Sequence, residues 1–263
     1  MKINDAVRDS WNAWSDDYFA MEYSQPETLN LLKADPARAF PPAVWQNIRA
    51  LFPDLHDKRV CVPSSGDNLA AFAFFLLGAD VTSCDLAERQ LENARQIAAE
   101  QGWRLRFCVC DSMEMDGIAD EAFDLVYTSN GVHTWICDLP AMYRQFYRIL
   151  KPGGHYLFFE THPFNRPFDD ETTRLQIKKR YDDTRENDWR VQDFINSLLE
   201  SGFTVARMDE LFADRGTLGA SWWEPDEWDE KSDWHKNPYA ALPQWISFCA
   251  GKQPAPAVPP KTS

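Results

Sequence analysis

Apolar and polar positions alternate in two different periods along this chain, and the switch between them outlines the fold. Residues 4–21 place Trp11, Trp14 and Tyr18 at helical spacing, which predicts an amphipathic helix. A proline-punctuated stretch, Pro26 to Pro42, leads to a short helix at 43–51. Short apolar runs then alternate with helical patterns. Strands are expected at 59–63, 80–85, 104–110, 123–129 and 155–160. Helices are expected at 69–77, 87–101 and 141–150 between them. The last of these has Met142, Phe146, Ile149 and Leu150 on one face. It stops at Lys151-Pro-Gly-Gly, because Pro152 cannot continue a helix and the glycines admit positive φ.

Regular strand–helix alternation implies an α/β fold with a doubly wound, parallel sheet and right-handed crossovers. Beyond the fifth strand the pattern loosens. Residues 166–188 are polar and charged. A helix is expected at 190–201, a sixth strand at 203–208 and a seventh at 244–250. Between the last two lies a long irregular stretch rich in tryptophan and acid, 211–243. Loops of that length inside a domain are usually functional. The expected organisation is an N-terminal helical cap over 1–56, a main domain over 57–252 and a disordered tail over 253–263, which holds four prolines.

The most telling local stretch is Arg59 to Asn68, Arg-Val-Cys-Val-Pro-Ser-Ser-Gly-Asp-Asn. It reads as a buried strand, a tight loop and the start of a helix. Such a loop presents backbone N–H groups to the polar end of a ligand. Asp85 closes the second strand nineteen residues after Gly66, and an acid at about that distance suits a ribose hydroxyl pair. The loop carries one glycine where related loops carry two or three.

Charge narrows the class of partner. The net charge of −14 argues against a nucleic-acid backbone and against anionic membranes. The N-terminus lacks the apolar core of a signal peptide, and no run is long enough to span a bilayer. The six cysteines include no Cys-x-x-Cys pair, so reduced thiols in the cytoplasm are expected, with no metal site.

With these motifs in order, the chain resembles a class I S-adenosylmethionine-dependent methyltransferase from about Asp57 to Lys252. That family carries an acid on its first strand, followed by Gly-x-Gly-x-Gly. The four matching positions here are Val62, Ser64, Gly66 and Asn68. Asp85 matches the family's ribose acid, and Asp111, in Cys110-Asp-Ser-Met, its adenine-proximal acid. Phe123-Asp-Leu-Val-Tyr-Thr-Ser-Asn-Gly-Val-His-Thr-Trp resembles the fourth-strand segment. Tyr147-Arg-Ile-Leu-Lys-Pro-Gly-Gly resembles the helix end before strand five.

The resemblance implies a Rossmann-like sheet of seven strands, the last antiparallel, and S-adenosyl-L-methionine as cofactor. Ser64, Ser65, Gly66 and Asp67 would meet the methionine part, with Asp67 or Asn68 alternatively capping the following helix. Asp85 would accept the ribose hydroxyls, and Leu86 would pack under the adenine. Asp111, Ser112 and Met113 would form the adenine pocket, although Asp111 also suits a helix cap with Glu114. Asn130 would lie near the methionine.

His133 and His162, just after strands four and five, are candidate general bases facing the transferred methyl. Backbone hydrogen bonding is the ordinary alternative for both. Trp11, Trp14 and Tyr18 suit a lid helix, but core packing is the commoner role for such a stripe. Residues 221–235 hold Trp222, Trp223, Trp228 and Trp234 among six acids and one lysine, a composition that suits an amine or other cationic acceptor and equally suits a subunit contact or a surface loop anchored by its tryptophans. The expected function is methyl transfer to a small molecule. A non-catalytic S-adenosylmethionine or S-adenosylhomocysteine sensor is the alternative, and an NAD-linked oxidoreductase is disfavoured by the missing Gly-x-Gly-x-x-Gly.

Overall fold

The computed structural model describes residues 3–23, 26–129, 131–168, 175–212 and 228–254. Three helices come first: α1 (Ile3–Tyr23), α2 (Pro26–Ala34) and α3 (Pro42–Leu51). The alternating region follows with β1 (Arg59–Val62), α4 (Leu69–Leu76), β2 (Asp80–Asp85), α5 (Glu88–Gln101) and β3 (Arg106–Val109). It continues through β4 (Phe123–Thr128), α6 (Leu139–Ile149), β5 (Leu150–Thr161), α7 (Val191–Glu200) and β6 (Thr204–Leu211). A one-turn helix, α8 (Trp228–Lys231), and β7 (Trp245–Gly251) complete it.

The seven strands form one sheet in the order β3-β2-β1-β4-β5-β7-β6. β1 to β5 are mutually parallel, and β7 runs antiparallel to both β5 and β6. The strand order reverses between β1 and β4, which puts the topological switch point, and hence a crevice, at their C-terminal ends. This is the α/β, doubly wound sheet that the alternation and the resemblance imply.

Both faces of the sheet are buried, so its central strands are apolar on both sides. Val60, Val62, Leu125, Tyr127, Leu157 and Phe159 share one core with α2, α3 and α4. The alternate positions, Cys61, Val126, Tyr156 and Phe158, share the other with α6 and α7. The cysteines are all unpaired.

Three element boundaries differ from the sequence reading, each for a local reason. Pro26 opens α2 because proline is tolerated in a first helical turn, where its missing N–H has no partner to lose. α6 begins two residues earlier than its apolar face suggests. There Asp138 caps the helix by accepting the Ala141 N–H at 2.8 Å, and Pro140 follows within the first turn. β5 begins at Leu150, directly after α6, because Leu150 pairs with Phe123 before a register shift between Phe123 and Leu125. Within the stretch read as irregular, α8 and a 3-10 turn at Pro238–Ala241 are ordered elements. The disorder expected of the tail concerns residues that, from 255 onward, lie outside the described ones.

Candidate cofactor site at the ends of the parallel strands

The loop after β1 keeps the backbone of a three-glycine loop with only one glycine. Ser64, Gly66 and Asn68 have φ of 47°, 52° and 64°, all left-handed. Gly66 adopts this at no steric cost, and Asn68 at little. Ser64 is held there by its hydroxyl, 2.7 Å from that of Ser112 after β3. Where the related family carries its first acid, Val62 is buried in the core. The loop is bound from β2 instead. The Ser83 hydroxyl joins those of Ser65, at 2.8 Å, and the side-chain oxygen of Asn68. Asn68 Nδ2 then donates to the Gly66 carbonyl at 2.8 Å. Asn68 therefore locks the loop, and its side chain makes no cap bond to α4; Asp67, one residue earlier, accepts the Leu69 N–H of the first turn at 2.9 Å.

Asp85 ends β2 with its carboxylate buried. One oxygen accepts the Gly66 N–H at 3.1 Å and the other the Ala87 N–H at 2.8 Å. Burial pushes this carboxyl up to about 6, against the pull of the Ala87, Gly66 and Leu86 N–H groups. Burial likewise raises Asp67 to about 6. Asp111 follows β3 and accepts the Met113 N–H at 2.8 Å, while its carbonyl accepts from Glu114 and Met115.

Ser64, Ser65, Gly66, Asp67, Asp85, Leu86, Asp111, Ser112 and Met113 all line one cavity of about 440 Å³. That volume is in the range of small-molecule sites. Its charged wall, among the described residues, consists of Asp67, Asp85 and Asp111, with no lysine, arginine or histidine. A sulfonium nucleoside, cationic at sulfur and hydroxylated at the ribose, is chemically compatible with such a wall. Asn130 lies outside the described residues; its neighbours Ser129 and Gly131 line the cavity.

The remaining wall is aromatic. Trp11, Trp14 and Tyr18 of α1 line the cavity together with Trp135, in the 3-10 turn after β4. They belong to the cavity, not to the core in which such a stripe more commonly sits. Trp11 meets Trp135 edge-on at 5.4 Å between ring centroids, and Trp14 lies 6.1 Å from Trp135. α1 is also tied to α5: Asn12 accepts the Arg89 N–H at 3.0 Å, and Asp16 accepts from Arg89 Nε at 2.8 Å and Asn93 Nδ2 at 2.9 Å. These ties are exposed and each contributes little; α1 is held more firmly by Phe19 in the core, by Tyr23, whose hydroxyl donates to the Asp67 carbonyl at 2.8 Å, and over the cavity by the tryptophan contact. Trp135→Ala is expected to speed hydrogen exchange along α1 and weaken cofactor binding about tenfold, with cofactor no longer fully protecting α1.

The two histidines expected to face the transferred methyl sit away from this cavity. Neither lines the cavity. His133 turns into the core between β5, α6 and α7, packing on Phe158 and Phe194. Its Nδ1 is 2.9 Å from Glu160 and its Nε2 2.9 Å from the Tyr143 hydroxyl, so both ring nitrogens are engaged. Glu160 is the reason: a buried carboxylate needs a partner, and His133 supplies it. His162 is equally buried. Its Nδ1 accepts the Phe164 N–H at 3.1 Å and its Nε2 faces Glu210 at 3.1 Å. Burial lowers this imidazole's pKa, against the opposing pull of Glu210.

The polar segment after β5 braces the site from behind. Arg166 donates to the Thr134 hydroxyl at 2.6 Å, Asn187 to the Thr134 carbonyl at 3.1 Å, and Trp189 Nε1 to the Ile136 carbonyl at 3.0 Å. Trp222 and Trp223 lie outside the described residues. Trp234 is exposed and stacks on His235, with ring centroids 3.8 Å apart. Sequence reasoning passed over Gln90, which lines the cavity from the first turn of α5. The available signal was a polar residue between Ala87, Leu91 and Ala94 on an otherwise apolar face.

Comparison with known proteins bears on the fold and on the domain that carries this cavity. Over 81 residues the chain is 37% identical to the malonyl-acyl-carrier protein O-methyltransferase of Serratia marcescens, covering 31% of this chain and 29% of that protein. Over 143 residues it is 29% identical to sterol 24-C-methyltransferase ERG6A of Gibberella zeae, covering 52% and 36%. The matched segments thus span well under half the length of either relative. In fold, it resembles the crystal structure of an S-adenosylmethionine-dependent methyltransferase from Mesorhizobium loti. The TM-score is 0.58 at 22% identity, over 80% of this chain and 97% of that one. Residues 63–158, from the glycine loop to β5, match the methyltransferase domain family, and over that stretch the chain is similar to S-adenosylmethionine-dependent methyltransferases.

Proposed function

We propose that this protein transfers the methyl group of S-adenosylmethionine to a small, uncharged or cationic acceptor. One observation carries the reading: Ser64 to Asp67, Asp85 and Asp111 to Met113, drawn from three strand ends, converge on a single cavity. When bound, the cofactor would supply an electrophilic methyl carbon, to which an acceptor lone pair would bond in line as the carbon–sulfur bond breaks and S-adenosylhomocysteine leaves, any acceptor proton passing to solvent. The chain's own part is to bind, orient and exclude water. Asp85 would hold the ribose, Asp111 and Ser112 the adenine, and the Ser64–Gly66 loop the amino-acid end. The lid aromatics would cover the reacting groups.

The acidic and aromatic wall bears on the acceptor. Three carboxylates and four aromatic rings favour a cationic or neutral guest and oppose an anionic one. An amine is the leading class. The net charge of −14 points away from nucleic acid. Six unpaired cysteines suit the reducing cytoplasm. Among the described residues, no helix is long and apolar enough to cross a membrane. A non-catalytic sensor draws no support from the two relatives described above, both named for methyl transfer.

Calorimetric titration with S-adenosylmethionine, S-adenosylhomocysteine and NAD tests the cofactor. The adenosyl ligands are expected to bind and NAD is not; NAD binding alone would refute the reading. A panel of amines, phenols and carboxylates, scored by S-adenosylhomocysteine release, tests the acceptor. Turnover confined to the carboxylates would refute the proposed class.

A further inference from the structure

The core face of α5 is set by Leu91, Ala94 and Ala98, all buried, and Gln90 intrudes on it. Gln90 is 1% exposed and lines the cavity, yet neither its Oε1 nor its Nε2 has a hydrogen-bond partner among the described residues. Among the described residues that line the cavity, no other buried side chain has a polar atom left without a partner. An unpaired buried amide is costly, and a thioether of similar length would suit the fold alone better. The turn that carries it is fixed on both sides, with Ala87 N–H on Asp85 and Arg89 N–H on Asn12.

We propose that the Gln90 carboxamide binds the ribose hydroxyl pair of the cofactor together with Asp85, an inference that rests on the cofactor reading above. A vicinal diol offers two O–H donors and two oxygens that accept. The ionised Asp85 carboxylate only accepts, and each of its oxygens already takes one backbone N–H. Gln90 adds the N–H donor that a hydroxyl oxygen lacks and a further acceptor for a hydroxyl proton. Gln90 lies in the first turn of α5, four residues after Leu86, and lines the same cavity as Leu86 and Asp85. A carboxamide also matches the N6/N7 edge of adenine. Asp111, at the end of β3, is the group assigned to the adenine amino group, so the ribose is the partner left for Gln90.

The test compares wild type with Gln90→Met and Gln90→Leu. Affinities are measured for S-adenosylhomocysteine, adenosine, 2′,3′-dideoxyadenosine and 7-deazaadenosine, with apo melting temperatures alongside. Gln90→Met is expected to weaken S-adenosylhomocysteine and adenosine about tenfold while raising the apo melting temperature. It should leave 2′,3′-dideoxyadenosine binding unchanged, and 7-deazaadenosine should suffer the same loss as adenosine. An equal loss for adenosine and its dideoxy analogue would overturn the assignment. So would a loss that disappears with 7-deazaadenosine, which would move the amide to the base. Unchanged affinity in both variants would make Gln90 a structural residue. Failure of wild type to bind any adenosyl ligand would instead sink the cofactor reading itself.

Discussion

Asp85→Ala is expected to weaken S-adenosylmethionine binding about 100-fold or more. Two hydroxyl bonds to a buried carboxylate contribute about 1.5–3 kcal/mol each, and the lower end of their sum already gives about two decades. The Gly66 N–H also loses its acceptor, so the loop itself loosens. The carboxyl titrates near 6, which gives a second, sharper prediction. The ribose hydroxyls need the ionised form as acceptor. Affinity should therefore be fully present above about pH 6 and fall by up to tenfold per pH unit below it.

Stability of the ligand-free protein should move the other way. The folded pKa of Asp85 lies above its ordinary value of 3.8, so the fold prefers the protonated form. Its stabilising contribution is complete below about pH 4 and is lost as pH rises through about 6. Glu22, pushed up to about 7 by burial and by the charge of Asp67, acts in the same sense. A melting temperature that rises from pH 7 to pH 5 while calorimetric affinity falls would show the site holding a charge at the fold's expense. Parallel trends would refute the assignment of Asp85.

The frame of the fold was legible because it rests on periodicity. Strands such as Val60 to Val62 and Leu125 to Tyr127 are apolar on both faces, and Pro152 with its glycines closes α6 unmistakably. The ends of β1, β2 and β3 were legible because backbone geometry dictates chemistry there. Gly66, Asp85 and Asp111 end at one cavity whatever the side chains around them do. What could not be read was the direction of side chains whose partners come from distant elements. His133 looked like a base because it follows β4. It turns inward because Glu160, twenty-seven residues later, is buried and needs it. Trp11 and Trp14 looked like a core stripe because spacing shows a face but not what faces it; Trp135 decides that. Asn68 looked like a helix cap, but its left-handed backbone and the nearby Ser83 hydroxyl draw its side chain back into the loop.

Glu160→Ala is expected to destabilise the protein by about 3–5 kcal/mol, the cost of breaking a buried, hydrogen-bonded pair from one side. At about 2–4 °C per kcal/mol for a domain of this size, the melting temperature should fall by roughly 10 °C. The carboxylate accepts the Gly131 N–H at 2.7 Å, the His133 N–H at 3.0 Å and the Thr161 N–H at 2.7 Å, besides facing the His133 ring. Burial pushes this carboxyl up, but His133 and these N–H groups hold it below its ordinary 4.5. Its contribution is therefore present above that value and lost as pH falls below it. Glu160→Gln keeps one acceptor oxygen but turns an amide N–H towards a backbone N–H, so an intermediate loss is expected, without the acid dependence.

The same bonds position Gly131, Val132, Trp135 and Ile136 in the cavity wall, so cofactor affinity should fall together with stability in both Glu160 variants. His133→Ala separates a structural histidine from a catalytic one. The structure requires a lower melting temperature and strong coupling to Glu160→Ala in a double-mutant cycle. Turnover per folded molecule should change no more than a few-fold. A loss of turnover of several hundredfold in a His133→Ala protein that melts like wild type would return the imidazole to the chemistry and refute its placement as the buried partner of Glu160.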